Sequence, residues 1–251
     1  MAELATGKVV LVTGGASGIG AAAARGFASE GAAHVVVADL DIGGAEATVA
    51  ALSSPGSSVE LDVTDDAAVA RAIDEIVDDH GRLDVAFNNA GVNDAPRSFH
   101  DLDAVSWDRM IAVNLSSVFL CMKHELRHMT AAGRGSIINT SSGAGVVAAP
   151  GLPHYTAAKH GVIGLTKAAA QEYARQGIRV NAVLPGSTDT TMLQSFIDGD
   201  EAMAKIIASS NIRGRLIEPD EIAAAVIWLG SDHAGMVNGQ SLIVDGGGIV
   251  R

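Results

Sequence analysis

The chain has 251 residues, 48 % hydrophobic and 18 % charged, enough apolar material for a large core in one α/β domain or two small ones, and one domain spanning 1–251 is expected. A formal net charge of −12 with no cluster of Lys and Arg opposes binding to nucleic acid, and the single cysteine, Cys121, excludes an intrachain disulfide. No apolar run approaches the ~18 residues of a membrane span and the start "MAELATGK" has no signal-peptide pattern, so a soluble, cytoplasmic protein without membrane or nucleic-acid partners is expected.

The first strand is predicted at "KVVLVTGG" (8–15), and it runs directly into the helix start "ASGIGAAAARGF". Gly14 would allow a tight turn, Gly18 a close backbone approach to a pyrophosphate, and Gly20 helix–strand packing with no side chain between. Ser17 and Ile19 share that turn, where the helix N-terminus offers free N–H groups and the positive dipole end to an anion. The second strand, "HVVVADL" (34–40), ends in Asp39 and Leu40. Asp39 follows Gly20 by nineteen residues, near the ~20 expected of an acid that accepts from ribose hydroxyls. Such a carboxylate repels a 2′-phosphate, and Gly15, Ala16, Ser17 and Leu40 offer no cation to offset it, so NAD(H) is expected over NADP(H). The same Asp39 can also serve as a turn acid or cap, because a helix opens at Asp41 and Ile42.

The third strand, "SSVELDV" (57–63), ends at Asp62 and Val63. In "DDAAVARAIDEIVDDHG", Val69, Ile73, Ile76 and Val77 recur at helical spacing, and Gly81 is placed to stop the helix. "LDVAFNNAG" (83–91) is the fourth strand, ending in Asn89, Ala90 and Gly91, and Asn114 in "AVNL" reads in isolation as a polar mark of a helix irregularity. "GSIINTSS" (135–142) is the fifth strand and closes on Ser142. In "GLPHYTAAKHGVIGL" (151–165), Tyr155 and Lys159 fall on one helix face, an arrangement that is a weak signal alone. "IRVNAVLPG" (178–186) leads through Pro185 and Gly186 into residues 187–217, a long insertion where such folds place lids. A helix is expected from near Pro219, and "QSLIVDGG" (240–247) is the last strand. Continuous apolar strands alternating with amphipathic helices predict a Rossmann-type, doubly wound parallel sheet of about seven strands with helices on both faces.

The spacing Gly14, Gly18, Gly20 differs from G-x-G-x-x-G and, with "NNAG" (88–91), Asn114, Ser142, Tyr155-x-x-x-Lys159, "PG" (185–186) and "VDGG" (244–247), resembles the short-chain dehydrogenase/reductase family in its short single-domain branch. The resemblance covers essentially the whole chain, and Ser142 precedes Tyr155 by the 13 residues typical of that family. It implies an NAD(H)-dependent oxidoreductase interconverting a secondary alcohol and a ketone, with Asn114, Ser142, Tyr155 and Lys159 as the catalytic set. Tyr155 would be the general acid and base, its phenol drawn down from near 10 by Lys159 and by an oxidised nicotinamide. Ser142 would hold the substrate oxygen, Lys159 the nicotinamide ribose, and Asn114 a water for proton relay. Asp62 and Val63 would flank the adenine, Asn89 to Gly91 would line the strand-four side, and Pro185, Gly186, Thr188 and Thr190 would complete the cofactor contacts. Thr191 stands where the family often has Pro, so the lid is expected to differ in shape. The family also pairs the Tyr155 helix with its copy in a neighbouring subunit, and the small residues Ala157, Ala158, Gly161, Gly164 and Ala168 suit a homotetramer.

The expected substrate pocket comprises Asn93 to Pro96, Gly143 to Val147, Pro153, His154 and the lid residues Thr191, Met192, Leu193, Phe196 and Ile197, a mostly apolar set suited to a small neutral alcohol or ketone. An NADPH-linked 3-oxoacyl-thioester reductase is the alternative, with Arg127, Arg134 and Arg175 as a carrier-protein patch; a non-catalytic NAD-sensing protein is another. Eight histidines show no HExxH spacing and no G-x-S-x-G elbow occurs, so neither a metal site nor a serine hydrolase is expected.

Overall fold

A computed structural model describes residues 3–250. Seven parallel strands form one sheet among these residues: β1 (Val9–Thr13), β2 (His34–Asp39), β3 (Gly56–Glu60), β4 (Val85–Asn88), β5 (Gly135–Thr140), β6 (Ile178–Pro185) and β7 (Ser241–Val244). Their order is β3-β2-β1-β4-β5-β6-β7, so the chain builds outward on one side of β1 and then reverses to build on the other. All seven predicted strands are present, each within a few residues of its expected bounds.

Alternation along the buried strands sorts side chains to the two faces. Val9 and Leu11 of β1 and Val36 and Ala38 of β2 join one core with α3 (Asp66–His80), α5 (Ser117–Ala132) and α6 (Pro153–Tyr173). Val10, Val12, Val35 and Val37 join the other with α1 (Gly18–Ser29), α2 (Ile42–Ala50) and α9 (Pro219–Gly230). Local signals set the helix ends: Asp65 caps α3 through the N–H groups of Ala67 and Ala68, Gly81 ends it in the left-handed region at φ 71°, and Pro219 opens α9 inside a Glu218–Glu221 capping box. Between α4 (Ala104–Ile111) and α5 the helix widens into one π turn, Ala112–Ser116, with Asn114 in it. The insertion after β6 carries two short helices, α7 (Thr191–Ile197) and α8 (Glu201–Ala208). No helix among the described residues is long and apolar enough to cross a membrane.

The core under α5 holds a polar cluster that periodicity does not announce. Glu125 is fully buried, and its Oε2 accepts from Asn88 Nδ2 at 3.0 Å, which also donates to Asn139 Oδ1 at 3.1 Å; Asn139 in turn donates to Thr166 Oγ1 at 3.0 Å. Glu125 Oε1 and Asn88 Oδ1 are both buried acceptors without a donor. Desolvation pushes the Glu125 carboxyl up to about 8, and a proton there turns one orphaned acceptor into a donor. Because the folded value lies above the ordinary one near 4.5, this group's stabilisation is complete below pH 4.5 and is lost as pH rises to about 8. Glu125→Gln supplies the donor permanently. Thermal unfolding of both proteins from pH 5 to 8 should show the variant gaining on the wild type by up to ~1.4 kcal/mol per pH unit. Parallel curves would mean that Glu125 ionises freely in the fold.

Candidate active site

The reversal of strand order between β1 and β4 opens a crevice at the carboxyl ends of the strands, where open α/β sheets bind ligands. There the backbone leaves the sheet and must find other partners. Thr13 Oγ1 accepts from the N–H groups of Asn89 (3.1 Å) and Ala90 (3.3 Å), and Asn89 Nδ2 donates to Gly14 O at 3.1 Å. A groove of about 890 Å³ lies over these ends.

Gly14 and Gly18 have φ of 64° and 53°, and a Cβ on Gly14 would lie 2.8 Å from Ala90 Cα, so glycine is required at this turn. The N-cap Ser17 makes no side-chain cap bond to the first N–H groups of α1, and Ser17, Gly18 and Ile19 stand at the groove wall. Gly20 does not line the groove; a Cβ there would meet Gly14 O at 2.0 Å, so it acts through packing behind the turn rather than by facing a ligand. Gly14, Ser17, Gly18, Ile19, Asp39, Leu40, Asp62, Val63, Asn89, Ala90, Gly91, Pro185, Gly186, Thr188 and Thr190 all line the groove. Asp39 and Asp62 also do turn work: Asp39 accepts from Ala16 N and Asp41 N, each at 3.0 Å, and Asp62 Oδ1 accepts from Thr64 N at 2.8 Å.

Asn114, Ser142, Tyr155 and Lys159 converge at the far side of the same groove. Asn114 is fastened by reciprocal bonds to Val92, Oδ1 accepting from its N–H at 3.2 Å and Nδ2 donating to its carbonyl at 3.0 Å. A Cβ on Gly91 would lie 2.8 Å from Asn114 Oδ1 and 3.8 Å from Lys159 Nζ, so one glycine keeps the amide and the ammonium in common space. Pro153 starts α6 with Tyr155 in its first turn and Lys159 one turn on; Lys159 Nζ lies 5.6 Å from the Tyr155 ring centroid and donates to Thr140 O at 3.0 Å. The Ser142 hydroxyl favours the ionised form of the Tyr155 phenol, and Ser142 Oγ accepts from Ala144 N at 3.1 Å.

The electrostatics correct one expectation. Desolvation, opposed only by the Ser142 hydroxyl, raises the Tyr155 phenol above its usual value, and desolvation lowers the Lys159 ammonium to about 8. At 5.6 Å from the ring and 3 % exposed, the protein's own lysine does not outweigh the burial of the phenol.

The substrate side also differs in part from expectation. Asn93, Gly143, Ala144, Val147, Met192 and Leu193 line the groove. Asp94, Ala95, Pro96, Gly145, Val146, Pro153, His154, Thr191 and Ile197 do not; His154 is buried behind the wall with Nε2 3.5 Å from Asp94 Oδ2, and the Phe196 side chain lies outside the described residues. Lining residues that sequence reasoning missed include Arg109 and Val113, four apart on one helix face, and Asp245, Gly248 and Ile249, which follow the last strand. Arg127 and Arg134 do not form a free basic patch, since Arg127 pairs with Asp74 and Arg134 with Asp84 at 3.6 Å.

The family described as enoyl-(acyl carrier protein) reductase, of the short-chain dehydrogenase/reductase type, matches residues 14–248. The chain is 45 % identical over 250 residues to cis-4-hydroxycyclohexanecarboxylate dehydrogenase of Sinomonas cyclohexanicum, covering 98 % of each chain. It is 39 % identical over 242 residues to cyclohexanol dehydrogenase of Acinetobacter sp. (strain SE19), covering 95 % of this chain and 94 % of that one. The crystal structure of levodione reductase superposes with a TM-score of 0.93 at 36 % identity, covering 96 % of this chain and 97 % of that one.

The Gly20 packing contact is directly testable. An alanine in a helix interior is ordinarily favoured over glycine by about 1 kcal/mol. Here its methyl would overlap Gly14 O, and overpacking of that kind costs ~1–3 kcal/mol. Gly20→Ala should therefore lower the thermal midpoint followed by circular dichroism, at ~2–4 °C per kcal/mol for a chain of this size. A midpoint above that of the wild type would remove the packing role.

Proposed function

The chain belongs to the short-chain dehydrogenase/reductase family, and within it we propose an NAD(H)-dependent enzyme that interconverts a compact cyclic secondary alcohol and its ketone. The observation that carries this reading is the convergence of two hydroxyls, Tyr155 and Ser142, on one groove beside the buried Lys159 ammonium. The left-handed Gly14 and Gly18 and the uncapped start of α1 suit a pyrophosphate, and Asp39 at the end of β2 suits a ribose diol. A nicotinamide bound there supplies the hydride acceptor or donor at C4, and in its oxidised form a positive charge near the phenol.

The protein's own residues then divide the work. Ser142 Oγ donates to the substrate oxygen and holds it as negative charge develops. Tyr155 exchanges the proton at that oxygen, giving it to the forming alcohol in reduction and taking it in oxidation. Its phenol begins above the ordinary value, which suits the acid role; the base role needs the extra positive charge of an oxidised nicotinamide. Lys159 bonds the nicotinamide ribose and keeps its charge below about pH 8. Asn114, held rigid by Val92, positions a water that links Lys159 to solvent. The thioester alternative is less supported because two of its three arginines, Arg127 and Arg134, are paired with carboxylates. A homotetramer belongs to the same reading and is supported by exposed Val105, Trp107 and Phe119 on α4 and α5.

Tyr155→Phe removes one hydroxyl and leaves the groove's shape intact. Turnover of cyclohexanol with NAD should fall by at least ~100-fold while NAD binding, followed by titration calorimetry, changes little. A variant keeping more than about a tenth of wild-type kcat would end the proton-transfer role.

Cofactor choice rests on Asp39. A 2′-phosphate would add roughly two negative charges beside this carboxylate. The cations lining the groove are Lys159 on α6 and Arg109 on α4, neither of them in the Gly14–Ser17 turn or at the end of β2. Asp39→Ala removes the repulsion along with the bonds to the ribose, and kcat/KM for NAD should fall by tens of fold while the NADP-to-NAD ratio rises. A wild type that prefers NADP, or a ratio unmoved by the substitution, would reduce Asp39 to its bonds with Ala16 and Asp41.

A further inference from the structure

The segment after β7 makes a compact hook that ends inside the groove. Asp245, 7 % exposed, accepts from Gly247 N through Oδ1 and from Ile249 N through Oδ2, each at 2.8 Å, and its carbonyl accepts from Gly248 N at 3.2 Å. One buried carboxylate therefore fixes the path of the next four residues, and Gly246 and Gly247, at φ 61° and 85°, supply the left-handed turn it requires. The hook is also joined to the insertion after β6: Ile212 N donates to Gly246 O at 3.2 Å, and a Cβ on Gly247 would meet the Ile212 side chain at 2.7 Å.

The hook delivers Ile249 to the reacting end of the groove. A Cβ built on Gly143 would have one neighbour within 4 Å, Ile249 Cγ2 at 3.4 Å, so the isoleucine lies against the backbone immediately after Ser142. It is a bulky, rigid, β-branched side chain among polar groups that hold a substrate oxygen in the reading above. Such a wall acts on the carbon skeleton on either side of the reacting centre, and an apolar wall discriminates by volume.

We propose that Ile249 is a specificity-determining residue, the apolar wall over Ser142 and Gly143 that confines the enzyme to compact rings and excludes bulk fused next to the carbinol carbon. The proposal rests on the alcohol and ketone reading of the same groove. Asp245 is its positioning residue, spending both carboxylate oxygens on the hook.

The test compares kcat/KM for 1-tetralol and cyclohexanol, with NAD, in the wild type, Ile249→Ala and Ile249→Phe. The ratio of bulky to compact substrate should rise about tenfold in the alanine variant and fall in the phenylalanine variant, the scale expected for a few methylenes in an apolar pocket. A merely structural role would depress both substrates together and leave the ratio where it was; that result in both variants overturns the proposal. If the wild type oxidises no alcohol with either nicotinamide, the parent reading fails by itself. Equilibrium dialysis of 1-tetralone against cyclohexanone, with the same three proteins, then decides the wall separately: opposite shifts in the binding ratio support it, and an unmoved ratio overturns it.

Discussion

Everything in the groove depends on how backbone is satisfied where strand order reverses. Paired strands complete each other's hydrogen bonds, but past Thr13 and Asn88 the two chains diverge and that pairing ends. Thr13 Oγ1 takes up two of the freed N–H groups and Asn89 Nδ2 takes up the Gly14 carbonyl. Two short polar side chains thus do the work of a strand pair while leaving the crevice open. The glycine requirement follows from the same closeness, because Gly14 passes Ala90 with no room for a Cβ between them. The glycine turn and sheet closure are here one steric problem.

The second constraint is a buried cation. Lys159 is 3 % exposed and has one carbonyl partner, Thr140 O, so the fold carries much of the cost of removing an ammonium from water. That cost appears as the drop of its ionisation to about 8. The buried ammonium lies 5.6 Å from the Tyr155 ring centroid. Ser141 Oγ ties the helix at this point by donating to Lys159 O at 2.8 Å, so the residue before Ser142 fixes the backbone of the residue after Tyr155 by four positions.

The sequence revealed the frame and most of the groove because both rest on local signals. Strand–helix alternation and glycine spacing are written in neighbouring residues, and so are the caps at Asp65 and Gly81. Asn114 was legible twice, as a helix irregularity and as a motif residue, and the π turn unites the two readings: the widened turn carries the amide that meets Val92. What escaped depends on distance in the chain. His154 adjoins Tyr155 yet points into the protein, since neighbouring positions on a helix face different ways. Ile249 reaches Gly143 from 106 residues away, through a hook no periodicity describes. The protein's own effect on Tyr155 is hidden for a related reason: a partner one turn away is visible in sequence, whereas desolvation is a property of the assembled pocket.

Two fully or nearly buried ionisable groups, Glu125 and Lys159, oppose each other in pH, and their sum says where the fold is under most electrostatic load. Glu125, raised to about 8, costs nothing below its ordinary value near 4.5 and costs progressively more up to about 8. Lys159, lowered to about 8, carries its full cost below that point, and the cost is relieved as pH rises from about 8 to its ordinary 10.5. The two penalties therefore meet at about pH 8 and are smaller on either side. Lys159, one helical turn from Tyr155, loses its charge above about 8. Both shifts have one physical cause, the burial of an ionisable group against the sheet.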